Sequence, residues 1–310
     1  MASCLPNSRL LFSLPSLLLL LLLLLPSSSL ADGPPEHVLL THEGGKLLTG
    51  NVGLSLLWYG QFARVQKNAM RTFIKSLNFR GDGMLRPQVS DWWRVVESYQ
   101  EAAGLPMAPI NVQVVKQTVD AGCSVGKVLT DDFIATLIGK ALEGFPDAIP
   151  VIISAKDVTM QGLCMGKCAL HKVDANNKPF IILGNPETEC PGACEWPFFK
   201  PDYGPAGETL IPPSGNIAAD AMVISFASGL AEIVTNPFMD GFQMKAVRNP
   251  IEAGCACQGI FGSGAVPGKP GKVLLDPTSG GSYNAYGSKG RKFLIPAIWN
   301  PITKSCFTLM

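Results

Sequence analysis

Four cysteines fall as two matched pairs, Cys164-Met-Gly-Lys-Cys168 and Cys190-Pro-Gly-Ala-Cys194. Thiols so arranged could hold a four-thiolate zinc ion or form disulfides. Zinc ribbons and fingers use closer spacing within a pair, and the amino terminus reads as an export leader, so bridges are expected. The 164/168 and 190/194 pairs are expected to bridge across to each other, stapling two loops. The remaining candidates for disulfides are Cys123, Cys255, Cys257 and Cys306. Spacing alone leaves the full connectivity open.

A second candidate is Ser228-Gly-Leu-Ala-Glu232, followed by Thr235-Asn236-Pro237. Zinc peptidases place ligands at i and i+4 of one helix, because those positions share a face. Here Ser228 and Gly229 stand where the first ligand and the general base would be. Glu232 alone matches an acidic last ligand, and a lone carboxylate neither holds zinc nor activates water. Glu232 is therefore a weak catalytic candidate, and neither metal nor cofactor is expected. The chain has three histidines, at 37, 42 and 171. His171 reads as a polar loop residue beside Cys168. Asp131-Asp132 and the Glu187/Glu189 pair are explained by helix capping and loop solvation. Gly262 to Lys269 has the glycines of a phosphate loop but the wrong spacing, with Pro270 where a metal-binding hydroxyl must stand.

These residues need elements to position them. Val52 to Tyr59 reads as a buried strand. A helix over 64–78 buries Val65, Ala69, Phe73 and Leu77 and turns Arg64, Lys67, Arg71 and Lys75 outward. Ser90 reads as a helix cap, Ile110 to Val119 as a strand, and Thr130 as the cap of a further helix. Ile149–Ser154 and Phe180–Leu183 read as inner strands, and Asp220–Val234 as the most apolar helix. Six prolines between Pro191 and Pro213 demand a loop. Helices and strands mix without strict alternation. The expected class is α+β: one disulfide-braced domain with a mixed sheet packed by helices, compatible with a degenerate zincin-like core.

Residues 1–31 read as a secretory signal: Arg9, nine leucines from Leu17 to Leu25, then Ser29-Leu30-Ala31 as the cleavage site. Residues 32–310 form the expected domain. Of 25 Lys plus Arg, Arg9 leaves with the leader, so 24 basic residues face 24 acidic ones. Such a balance exerts no pull on nucleic acid or on a membrane surface.

Several motifs together resemble the plant EXORDIUM/EXORDIUM-like, or phosphate-induced, family. They are Leu47-Leu-Thr-Gly-Asn51 running into Leu57-Trp-Tyr-Gly60, Cys164-Met-x-x-Cys168 with His171, Gly184-Asn185, Cys190-Pro-Gly-x-Cys194 with Trp196-Pro-Phe198, Thr235-Asn-Pro-Phe238, and Gly290-Arg-Lys292. The resemblance implies a protein of the apoplast, linked to cell expansion, brassinosteroid-responsive growth and adaptation to carbon or nutrient supply. It supplies no catalytic mechanism. Cys123 and Cys255 depart from the family pattern together and are expected to bond to each other. A non-enzymatic role leads, with a wall polysaccharide or a receptor ectodomain as partner. The aromatics Trp196, Phe198, Phe199 and Tyr203 of the proline-rich loop form the candidate contact surface. The alternative is a secreted hydrolase, a metallopeptidase or a carboxylate glycosidase.

Overall fold

The structure is a computed structural model that describes residues 39–81, 85–164, 167–187, 192–199, 207–244 and 250–310. The leader, Glu189, Cys190 and Tyr203 lie outside the described residues.

A five-stranded sheet carries the fold. The chain enters through β1 (Asn51–Tyr59), then α1 (Arg64–Leu77), α2 (Val89–Glu97), β2 (Asn111–Asp120), α3 (Asp131–Leu142), β3 (Ile149–Ser154), β4 (Ala169–Val173), β5 (Pro179–Leu183) and α4 (Ile217–Thr235). The spatial order is β2-β1-β3-β5-β4. The first four of these are parallel, and β4 runs antiparallel to β5 at the edge. β3 and β5 are buried along their whole length, which is why both appear in the sequence as unbroken apolar runs.

Alternation along the strands divides two cores. Leu57, Tyr59, Ile152, Phe180 and Ile182 meet Ile134, Leu137, Ile138 and Ala141 of α3. On the opposite face, α4 packs on the sheet with Gly229 facing Ala169 and Ile181. A methyl group there would stand 3.4 Å from Ala169 and 3.6 Å from Ile181. α1 packs beside α4 on this face, where Phe73 and Phe226 meet edge to face at 6.2 Å. α4 has the length and composition of a membrane-spanning helix, yet 78% of its apolar window is buried in protein. It is a core helix.

The helices form where the sequence places them, but two starts differ. α4 begins at Ile217 rather than Asp220. α2 starts at Val89, and Gln88 rather than Ser90 holds the capping position. The Asp91 carboxylate accepts the Gln88 N–H at 2.9 Å and pairs with Arg86 at the same distance. Beyond α4 the chain forms short antiparallel ribbons, among them 298–300 with 305–307.

Two disulfides are defined among the described residues. Cys168–Cys194 ties the end of the loop before β4 to the proline-rich segment, as the cross-bridging expectation requires. Cys257–Cys306 anchors the carboxy-terminal ribbon. Cys164 is also disulfide-bonded. Cys123 and Cys255 are both free thiols, which corrects the expected bond between them. Cys123 sits in the turn after β2, its sulfur beside Gly60. Cys255 contacts Glu252 and Lys167 instead.

Candidate functional site

The last turns of α4 deliver Glu232 to the interior. Asn216 starts this helix by accepting the Ala219 N–H at 2.8 Å, and Asp220 in its first turn accepts from Ser214 at 2.7 Å. Burial raises the Asp220 carboxyl to about 6, against the pull of its Ser214 bonds and of Arg291. Three turns later Glu232 is 3% exposed.

His171 faces it from β4. It is a buried strand residue, 4% exposed, rather than the loop residue expected from its neighbours. The side chains of His171, Glu232 and Glu252 bring one ligand atom each within 4.8 Å of one another. Glu232 is therefore not a lone carboxylate, and the ground for setting a metal aside falls. His171 Nε2 donates to the Asn236 carbonyl at 2.9 Å and lies 3.5 Å from Glu252. His171 Nδ1 has no hydrogen-bond partner. It lies 3.9 Å from Glu232, an ion-pair separation and too long for a hydrogen bond.

Asn236 organises this chamber. Its Nδ2 donates to Glu252 at 2.6 Å, its Oδ1 accepts the Gly241 N–H at 2.6 Å, and its own N–H donates to the Glu232 carbonyl at 2.8 Å. Gly241 is required, because a Cβ there would stand 2.3 Å from the Thr235 carbonyl oxygen. Lys167 reaches in from the loop before β4 and donates to Cys255 Sγ at 3.6 Å.

Electrostatics follow from burial opposed by pairing. Burial pulls His171 down, yet the two carboxylates outweigh it and raise the imidazole. Burial pushes Glu232 up, but His171 and Lys167 hold it below the usual carboxylate range. Glu252 is pushed up to about 7, first by burial and then by the neighbouring Glu232 charge, against the opposing pull of His171. Burial pushes the Cys255 thiol up to about 12. Lys167 loses by burial and gains more from Glu232, Cys255 and Glu252, ending raised. The chamber thus stores positive charge on Lys167 and His171 against the carboxylates. His171 Nδ1 and the two carboxylates would be the ligands of a divalent cation, the imidazole and oxygen donors suiting zinc or manganese. Lys167 opposes that use, since it already offsets a carboxylate.

The other candidates disperse. Asp131 pairs with Lys172 at 2.8 Å and Glu187 with Lys156 at 3.8 Å, both on the surface. Phe198 is 3% exposed, packed with Leu210, Phe261 and Leu294, and Trp196 lies half-buried against that cluster. Both belong to packing rather than to a contact surface; among the described candidates Phe199, 42% exposed, stands free of it. Glu252, Lys167, Asn236 and Cys255 were not foreseen as one site. The signal available was Glu252-x-x-Cys255 and the unassigned lysine inside the first cysteine pair.

The "Phosphate-induced protein 1 conserved region" family model matches residues 40–309. The chain belongs to this family. It is 39% identical over 288 residues to Protein EXORDIUM of Arabidopsis thaliana, covering 89% of this chain and 91% of that protein. It is 37% identical over 284 residues to Protein PHOSPHATE-INDUCED 1 of Nicotiana tabacum, covering 89% and 90%. Protein EXORDIUM-like 6 of Arabidopsis thaliana is 40% identical over 296 residues, covering 84% and 89%. No solved structure matches the chain. The phosphate-induced match spans every member of the buried cluster, from Lys167 to Cys255.

Proposed function

We propose that this phosphate-induced family member is a secreted protein of the cell-wall space that acts by contact, without turnover, in brassinosteroid-responsive growth, cell expansion and adaptation to carbon or nutrient status. The observation carrying this reading is the burial of its chemistry. His171, Glu232 and Glu252 are each at most 4% exposed. A substrate must come within hydrogen-bond reach of an acid or base, and buried groups with internal partners do not offer that. Apart from His171 Nδ1, the polar groups of this cluster find protein partners, and buried polar networks of that kind specify a fold. The leader-like amino terminus and the family match support the location.

The test is a screen of the purified protein on wall polysaccharides and peptide libraries, with Glu232→Gln as control, beside retention on isolated walls. Retention without product formation is the expected result. Product formation that disappears in Glu232→Gln would overturn the reading.

A second reading, a metal-dependent secreted hydrolase, is favoured by one observation: the unpartnered His171 Nδ1 faces a carboxylate. Metal analysis of the purified protein separates the two. The contact reading expects no tightly held zinc or manganese. One ion per chain, lost in Glu232→Gln, would favour the hydrolase.

A further inference from the structure

Charge is distributed unevenly in this protein, whose formal net charge is only +1. Between Leu47 and Gly81 the chain carries five cations, Arg64, Lys67, Arg71, Lys75 and Arg80, and no carboxylate. Some of this charge is accounted for. Arg80 meets Glu97 at 3.5 Å, and Lys67 lies 5.6 Å over the Trp58 ring. On β2, Lys116 turns to the other face and donates to the Glu143 carbonyl at 2.7 Å. Arg71 and Lys75 make no ion pair among the described residues, and both line one cleft.

That cleft, about 630 Å³, runs between α1 and the edge strand β2. Its helix wall extends from Asn68 to Asn78, about 15 Å at the helical rise. Its strand wall carries Gln113 and Gln117. Gln117 uses its oxygen to accept from Trp58 Nε1 at 3.3 Å, which leaves its amide N–H groups for a ligand. Asn78 bonds Val112 in both directions, at 2.6 and 3.0 Å, and fixes one end of the trough. The floor is therefore preformed, and the Arg71 and Lys75 donors that line it are solvent-exposed.

We infer that this cleft binds a carboxylated polysaccharide, a polyuronate chain, with Arg71 and Lys75 on its carboxylates and the amides of Asn68, Gln113 and Gln117 on its hydroxyls. One helical turn puts Arg71 and Lys75 about 5–6 Å apart at Cβ, so they address neighbouring charges on one polymer. The Arg71 guanidinium offers the planar fork that fits a carboxylate. Nucleic acid fits less well, because no aromatic ring is among the residues that line the trough and the two cations lining it are few for a phosphate backbone. The inference rests on the contact reading and names its partner.

The experiment uses the purified secreted protein and titration calorimetry against polygalacturonate, the same polymer fully methyl-esterified, a sulfated glycan and single-stranded DNA. Binding to polygalacturonate is expected, weakened by salt, and absent with the ester. Arg71→Ala/Lys75→Ala is expected to weaken it at least about tenfold with thermal unfolding unchanged, since both side chains are exposed. Arg71→Lys should fall between. Equal binding of the ester, tighter binding of the sulfated glycan or DNA, or an unaffected double variant would each overturn the inference. If polygalacturonate fails to bind while the protein is still retained on isolated walls, the cleft is wrong and the contact reading stands. Loss of both removes the two together.

Discussion

In the unfolded chain Glu252 loses its proton in the ordinary carboxyl range, whereas in the folded protein it keeps it until about pH 7. The folded state therefore binds more protons over that interval, and stability present below the ordinary carboxyl pKa is lost as pH rises through 7. His171, also raised, acts in the same direction. Glu232 is lowered, so its contribution disappears only at more acidic pH, as pH falls through its folded value. Thermal denaturation should show a midpoint that falls from about pH 5 to about pH 8, on the order of 2 kcal/mol, with Glu252→Gln flattening the profile. An identical slope in that variant would remove Glu252 as the cause. The free thiols make a second residue-scale prediction. Native alkylation at mildly alkaline pH should label Cys123 well before Cys255, whose thiol is held up to about 12 by burial; unfolding without reductant should expose both. Glu232 and His171 each drew notice in the sequence, yet their meeting did not. The contacts that join them span large separations, 65 residues between His171 and Asn236, and no local pattern encodes such a closure.

Elements were more legible than sites, for reasons the individual segments show. α1 has one apolar and one charged stripe, and its period marks it from Arg64 to Leu77. α4 is apolar on nearly every side because protein surrounds it, so length and composition alone identified it. The cap of α2 lies at Gln88 because Asp91 serves it from inside the helix, a reach that the neighbouring Ser90 masks in the sequence. Two glycines at the site separate packing from backbone constraint. Gly229→Ala adds a methyl at ordinary contact distance and removes chain freedom in a helix, so stability should hold or rise slightly. Gly241→Ala forces a Cβ onto the Thr235 carbonyl and should cost about 2 kcal/mol or more, while loosening Asn236. Urea denaturation of both variants checks the contrast. Equal effects would mean the turn tolerates a side chain.

Across the whole molecule the disulfides join segments that the sheet does not hold. Cys257–Cys306 spans a separation of 49 residues, and closing such a loop removes about 4 kcal/mol of unfolded-state freedom in the chain-entropy model. Cys257→Ser/Cys306→Ser should lower stability by about 2–4 kcal/mol in chemical denaturation; no loss would place the ribbon's anchor elsewhere. Cysteine spacing gave no route to this partnership, because 257 and 306 are brought together by ribbons whose strands are two or three residues long. The mixed sheet, in contrast, was foreseeable from its buried runs. At its open margin, the two-way bond between Asn78 and Val112 has a bearing on how the protein keeps to itself. A strand from a neighbouring molecule arriving there would find the backbone of Val112 already matched by an amide that imitates one more residue of sheet. Replacing Asn78 by alanine should thus first betray itself in concentrated solution, as slow edge-to-edge association seen by light scattering, in molecules that still melt at nearly the same temperature.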